Sequence, residues 1–366
     1  MVTSRIALVA IAAVLVATGI GLVWLAPLDP VRVEVVQGGL EHPWDIAFAD
    51  DGRMLVTERI GRVLVFSSGG SNAQLLSTTT IPDVRAELES GLMGIAIQED
   101  TVFICASRDA GDAWRVELLR STLAEDGSLA PFEVVPFGEI RGAPRHQGCA
   151  VEVDATDRLW LSVGDANLPA GDNRAQDPDR LNGKVLRLNL DGSVPADNPF
   201  ESPVYSLGHR NPQGLAFGPD GTVWEVEHGT DENDEINRLQ AGGNYGYPCF
   251  TGADAPGPIP EGCGTASEYL PPAWASGTPT LATSGATFLS GAGWGDWEGN
   301  LIVSTLKEED LRRFSVGSDG GATLEETLLD GQFGRLRALV IGPDGALYVS
   351  TSNGTDDRVL RVTRAE

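Results

Sequence analysis

The stretch GPDGTVWEVEHG, residues 218–229, decides the fold: a reverse turn of the Asp-Gly kind runs straight into a short strand of alternating apolar residues. The phrase returns as GPDGALYVSTSNG at 342–354, ADDGRMLVTER at 49–59 and QEDTVFICASR at 98–108. It returns again as DATDRLWLSVGD at 154–165 and DWEGNLIVSTLK at 296–307, which makes six copies. Their turn positions, Gly52, Asp100, Asp157, Gly221, Gly299 and Gly345, lie 48, 57, 64, 78 and 46 residues apart, the spacing of propeller blades with insertions. Apolar runs such as WDIAFADDG, CAVEVDATD and ALVIGPDG lead into the turns, and helical periodicity is nearly absent beyond the amino-terminal segment. The pattern predicts an all-β, six-bladed β-propeller over residues 31–366. A first strand at 31–37 (VRVEVVQ) and a last at 358–364 would pair inside one blade, closing the ring and removing a free edge. Two stacked β-sandwiches are the alternative, and the regular period speaks against them.

Composition sets limits on function. The chain has 366 residues with 52 Asp+Glu against 26 Lys+Arg, a net charge of −26, so nucleic acid is excluded as the main partner. Hydrophobic residues at 42% and charged residues at 21% place it among globular proteins. Its 45 glycines and 22 prolines call for many tight turns between short strands. Arg5 precedes an uncharged apolar run at 6–27, about the ~20 residues of a bilayer-spanning helix. Residues 1–30 therefore read as a signal or anchor segment, cleaved or retained, with the propeller exported to the periplasm or cell surface as a membrane-anchored or secreted domain. The four cysteines, Cys105, Cys149, Cys249 and Cys263, are an even number suited to disulfides in such a compartment. Three pairings are possible; joining Cys249 to Cys263 closes the shortest loop and leaves Cys105 with Cys149. A zinc site is the competing reading, without a C-x-x-C pair to support it.

In a propeller, residues at the same place in each repeat converge on the central channel, so chemistry is sought at repeat-equivalent polar positions. His146, in APRHQGCAVEV, enters a strand, where it can act as a general base or as a capping histidine. His209, Arg210 and Asn211 precede another strand before a proline. The acidic loop EHGTDENDEINRL, residues 227–239, offers carboxylates and carbonyls to a hard cation such as calcium, or is simply solvated. Arg335 and Arg337, two residues apart, would share one face of a strand. With Lys307, one of only two lysines, they would form a cationic pocket for a small polycarboxylate or phosphate, unless they are spent in salt bridges.

Read together, the phrases LEHPWDIAFADDGRMLVTERIGRV, ESGLMGIAI, HQG, AQDPDRLNGKVLRLNLDGSVPADNPF, SLGHRNPQGLAF, EHGTDENDEIN with GGNYGYP, STLK and GRLRALVIGPDG resemble one family in this order. That family is the soluble pyrroloquinoline-quinone (PQQ) sugar dehydrogenases, glucose/sorbosone dehydrogenases, especially their short aldose sugar dehydrogenase branch. The resemblance runs from about residue 40 to 363. It implies PQQ and Ca²⁺ at the channel mouth and oxidation of an aldose at C1 to its lactone, with electrons leaving to an external acceptor, a quinone, cytochrome or dye. It further implies His146 as the base and Arg210 beside the quinone carbonyls, with Asn211 and Glu89 contacting cofactor or substrate. Lys307, Arg335 and Arg337 would hold the cofactor carboxylates, and the carbonyls of Gly229 and Thr230 the calcium. Glu235 and Tyr245 fall where some short members bind a second calcium. Three positions depart from the family pattern. Glu89 replaces a glutamine, Thr230 a proline, and Arg145 an acidic residue beside the base, so that His146 would lack a carboxylate to orient it. The competing functions are a calcium-dependent lactonase, which would ligate its ion with carboxylates, and a non-enzymatic binding propeller.

Overall fold

The computed structural model describes residues 30–111, 113–169, 174–252 and 263–365. Its strands form six antiparallel sheets, four of them meanders of consecutive strands. The first strands of the six are Pro43–Phe48, Leu92–Gln98, Gly148–Val153, Pro212–Phe217, Thr283–Phe288 and Leu336–Ile341. Each packs against two of the others, and together they make a closed ring around one axis. The fold is a six-bladed β-propeller. Val31–Leu40 completes the sixth blade by pairing antiparallel with Asp357–Arg364, Val31 opposite Arg364, as the edge-closing argument requires. The apolar run at 6–27 and its role in a membrane lie outside the described residues. Among the described residues no helix is long and apolar enough to cross a membrane.

The alternation read from the sequence is only partial, and the reason is packing. The second strands Met54–Glu58, Val223–Glu227, Leu301–Thr305 and Leu347–Thr351 are buried along their whole length. Each is covered on both faces by neighbouring blades, and the apolar core is accordingly divided into six clusters that lie between blades. The clusters draw on adjacent blades, as where Met93, Phe103 and Leu118 of the second blade meet Val151, Leu161 and Leu186 of the third. Both disulfides pair as the shortest loop implied: Cys105–Cys149 ties the second blade to the inner strand of the third, and Cys249–Cys263 closes the excursion after the fourth blade's third strand.

Close approach at the axis has a sequence cause. The third residues of the inner strands are Asp45, Gly94, Ala150, Gly214, Gly285 and Ala338, five of them Gly or Ala. A Cβ added to Gly94 would lie 2.2 Å from the Cys149 carbonyl oxygen, and one on Gly285 would lie 2.4 Å from that of Arg337. Every inner strand also carries a register irregularity at or beside this level, which bends it and re-aims the residues at the channel mouth. Hydroxyls staple the blades across the same layer. Thr57 Oγ1 donates to the Met93 carbonyl at 2.6 Å and Ser162 Oγ to that of Pro212 at 2.8 Å.

Of the two lysines, Lys184 is wholly buried, and its Nζ donates to the carbonyls of Arg174, Ala175 and Asn182 at 2.8, 3.0 and 2.9 Å. It therefore pins the segment that leads into the third strand of the third blade. Lys184→Met should leave these acceptors short of a donor and destabilise the domain by about 3 kcal/mol. A thermal melt that matched wild type would show that the lysine does not carry this segment.

Candidate active site

The loops entering the inner strands and those leaving the second strands meet at one end of the channel, and the polar residues collect there. His146 is buried at the entry to the third blade, in the left-handed region at φ 56. Its Nδ1 lies 2.8 Å from Asp165 Oδ1, and Asp165 leaves the second strand of the same blade. This corrects the expectation that Arg145 deprives the base of a carboxylate partner. The orienting carboxylate comes from the other end of the hairpin, and Arg145 instead pairs with Glu89 Oε1 at 2.9 Å. Glu89 Oε2 accepts the His146 main-chain N–H at 3.1 Å. Burial alone would raise the Glu89 carboxyl, but that amide and the charges of His146, His228 and Arg145 outweigh it and hold the carboxyl below its usual range.

The network continues into the fourth blade. The Asp165 amide donates to the Arg210 carbonyl, and Arg210 Nη1 donates to the His228 carbonyl at 3.1 Å. Asn211 Oδ1 accepts from the Gly148 amide and from Gln213 Nε2, and Gln213 Oε1 accepts from Arg337 Nη1. Glu227 Oε2 takes the amides of both Arg210 and Asn211, which fixes the His-Arg-Asn segment.

The cations divide by depth. Arg337 is buried, with its guanidinium 3.6 Å from the centroid of the Trp44 ring. Burial and the nearby Arg335 charge pull it down to about 9. Arg335 lies one residue before the strand starts at Leu336 and is exposed where Arg337 is buried, so the two arginines differ in depth. Arg335 Nη1 reaches the Leu306 carbonyl at 3.1 Å, beside exposed Lys307, whose Nζ donates to the Thr280 carbonyl. Lys307, Arg335 and Arg337 thus form a graded cationic wall rather than a flat pair.

Two acids of the loop, Asp234 and Glu232, are turned onto the protein's own donors. Asp234 accepts from the Gly229 amide and Thr280 hydroxyl with one oxygen, and from the Leu281 and Ala282 amides with the other. Glu232 is bonded to the Thr278 hydroxyl. Gly229 is held so tightly that a Cβ would lie 1.9 Å from the Glu232 carbonyl oxygen, while Thr230 is exposed. Main-chain carbonyls are the donors this turn can offer a cation. Glu235 and Tyr245 line one small cavity with Arg210, Glu227 and Tyr247. The Tyr245 hydroxyl, however, donates to the Arg238 carbonyl and accepts from the Gln240 amide. Burial and Glu227 push Glu235 up to about 8.

Four participants were not singled out in the sequence: Asp165, Gln213, Trp44 and His228. Asp165 and His228 both follow the second strand of a blade, as Lys307 does, so repeat equivalence was the signal that could have found them. His228 is drawn below its ordinary range, by burial first and by Arg210 and Arg337, despite the opposing Asp234 and Glu89 charges. Its Nε2 and the Nε of Arg210 are buried without a hydrogen-bond partner, two polar atoms that a bound group at this mouth would satisfy.

The fold and this base, carboxylate and cation assembly define a propeller oxidoreductase. The chain belongs to the Glucose / Sorbosone dehydrogenase family, whose profile matches residues 40–361. It is 33% identical to the Escherichia coli aldose sugar dehydrogenase YliI over 93% of this chain and 94% of that one. It is 31% identical to quinoprotein glucose dehydrogenase B of Acinetobacter calcoaceticus over 60% of this chain and 52% of that protein. The PQQ-bound aldose sugar dehydrogenase of Streptomyces coelicolor superposes with a TM-score of 0.76 at 28% identity, covering 92% and 99% of the two chains.

Deeper in the channel, Asp45 faces the ring of small residues and accepts the amides of Ile46 and Ile95. Burial raises its carboxyl to about 7, and it in turn helps to raise Glu152. An acid raised on folding holds its proton in the native state after the unfolded chain has lost it, so stability should fall as pH rises from about 4 to 7. Asp45 is only half-buried, so the loss is discounted to on the order of 2 kcal/mol. Denaturant melts across this range should show the slope, and Asp45→Asn should make it shallower, with Glu152 and Glu235 carrying the remainder; a slope unchanged in that variant would place its origin elsewhere.

Proposed function

We propose that the protein oxidises aldose sugars at C1 to lactones, using PQQ and Ca²⁺. The observation that carries this reading is the His146–Asp165 pair at 2.8 Å, set beside the Arg210 segment and within the hydrogen-bond network that leads to Arg337. The two partnerless buried nitrogens of Arg210 and His228, and three cations at the mouth of a chain carrying −26, suit a compact polyanion. Lys307, Arg335 and Arg337 would hold its carboxylates, and Arg210, Asn211 and Glu89 would contact its ring system or the sugar. Carbonyls of Gly229 and Thr230 would ligate the calcium, with Glu235 and the main chain of Tyr245 as candidates for a second, structural ion.

PQQ, when bound, supplies the two-electron acceptor. The protein has three tasks. His146 Nε2 accepts the proton of the sugar C1 hydroxyl, and Asp165 fixes the tautomer that leaves Nε2 unprotonated and stabilises the imidazolium that forms. Arg210 and neutral His228 present donors to charge that develops at the mouth. Glu89, tied to Arg145 and to the His146 amide, bears on the orientation of the base and on sugar preference. The electrons would pass to an external quinone or cytochrome. An extracytoplasmic location is supported by the two disulfides, with the segment at 6–27 as leader or membrane anchor.

Dye-linked oxidation of an aldose panel, with PQQ and calcium supplied together and each omitted in turn, tests the reading. Activity should require both, and turnover in the absence of either would refute it. His146→Ala should bind PQQ as wild type does and lose about 10²- to 10⁴-fold in kcat. Arg335→Ala combined with Arg337→Ala should weaken PQQ binding at least tenfold, measured by quenching of protein fluorescence. Unchanged affinity would dispose of the carboxylate assignment.

A further inference from the structure

Behind the Arg210–Asn211 segment, the fourth blade breaks the rule that the other five obey. The fourth residue of each inner strand faces a second-strand residue that is Val56, Ile104, Leu161, Val303 or Val349 in five blades, all buried and apolar. In the fourth blade that residue is Glu225, opposite Leu215 and completely buried. Its third-strand neighbour is also changed. Leu64, Leu119, Leu186 and Leu360 occupy the position in four blades, and Asn237, equally buried, occupies it here. One apolar pair of the core has become a carboxylate and an amide, and a lone replacement of this kind is costly unless something satisfies both.

The surroundings supply further ligand atoms. His209, fully buried, has Nδ1 at 3.1 Å from Glu227 Oε1 and 3.7 Å from Glu225 Oε2. Asn237 Nδ2 lies 3.1, 3.2 and 3.3 Å from oxygens of Glu225, Glu227 and Glu235. The ligating atoms of His209, Glu225 and Glu227 are all within 4.8 Å of one another. Two oxygens are left over: Glu225 Oε1 and Asn237 Oδ1 are buried without any partner. With the two ends of the Asn237 amide exchanged, Oδ1 becomes the hub, where it faces three carboxylates and is tolerable only beside a cation.

We propose that this hub binds a divalent first-row transition ion of the Mn²⁺ or Fe²⁺ kind. Its ligands are His209 Nδ1 and one oxygen each from Glu225 and Glu227, with Glu235 Oε2 and Asn237 Oδ1 completing the set. The separations of 3.1 to 3.7 Å correspond to neighbouring ligands around an ion with bonds of about 2.1–2.3 Å. His209 Nε2 is 2.8 Å from Ser206 Oγ, which can accept its N–H and so fix the tautomer that leaves Nδ1 free for a metal. One imidazole among oxygens disfavours Ca²⁺, which takes oxygen ligands alone. The site differs from a calcium at Glu235 and Tyr245, because its defining members are His209 and Glu225. It is also independent of the sugar chemistry proposed above, although Glu227 links it to the active site by holding the amides of Arg210 and Asn211 with its other oxygen.

The test uses the whole protein without PQQ, stripped with chelator and titrated with Mn²⁺ in millimolar Ca²⁺ to occupy calcium sites, read by electron paramagnetic resonance. One Mn²⁺ per chain should bind at micromolar concentration or below, with nitrogen coupling from a single histidine in pulsed spectra, and should raise the melting temperature. Glu225→Gln should weaken Mn²⁺ binding at least about tenfold. The double variant Glu225→Val with Asn237→Leu restores the apolar pair of the other blades, so it should fold, bind no Mn²⁺ and melt at a temperature indifferent to chelator. Failure of wild type to bind Mn²⁺ in the presence of Ca²⁺, or equal binding by the double variant, would overturn the proposal.

Discussion

Six inner strands can share one axis only if their backbones approach within side-chain distance of each other. That requirement fixes Gly94, Ala150, Gly214, Gly285 and Ala338 at one level of the ring. Everything functional is built one or two residues away from this level. The irregularity that each inner strand carries there turns the preceding residues toward the channel mouth, and so places Gln213 and Arg337, with Trp44, around a common centre. Asp45 is the one acid among the third residues of the inner strands, and burial raises both it and nearby Glu152.

The mouth is cationic in a strongly anionic molecule, and the network shows how that is arranged. Arginine guanidiniums are turned onto carbonyls and an aromatic face rather than onto carboxylates, as with Arg210 on His228, Arg335 on Leu306 and Arg337 on Trp44. A carbonyl orients a cation without neutralising it. Asp234 is meanwhile spent on main-chain amides and the Thr280 hydroxyl, and Glu227 gives one oxygen to the amides of Arg210 and Asn211, so the turn at Gly229 presents carbonyls.

The blades were legible because each announces itself with a turn and an apolar strand, and the closing pair because an unpaired edge is unfavourable. Candidate mouth residues were legible where they stand in distinctive local phrases, such as His146 in RHQG and Arg210 in GHRNP. Asp165 was legible only as a repeat-equivalent polar position; its pairing with His146 depends on the two ends of a hairpin facing each other across 19 residues at the channel mouth. The spacing of Arg335 and Arg337 did not show their difference in depth, which depends on how far the neighbouring blades cover the strand that starts at Leu336. Glu225 was invisible for another reason: in WEVEHG it passes for a solvent-facing residue of an alternating strand, and only covering both faces of that strand makes it anomalous.

Closure of the ring by Val31–Leu40 also bears on the order of assembly. Val31 pairs with Arg364, so the sixth blade joins strands that lie before and after the other five blades in sequence, and the partner of the first strand is synthesised only after theirs. Contacts of such sequence separation are slow to form, because a very long loop must be closed before they return any stabilisation. Until then the first strand is held back from its final place while the intervening blades can already form.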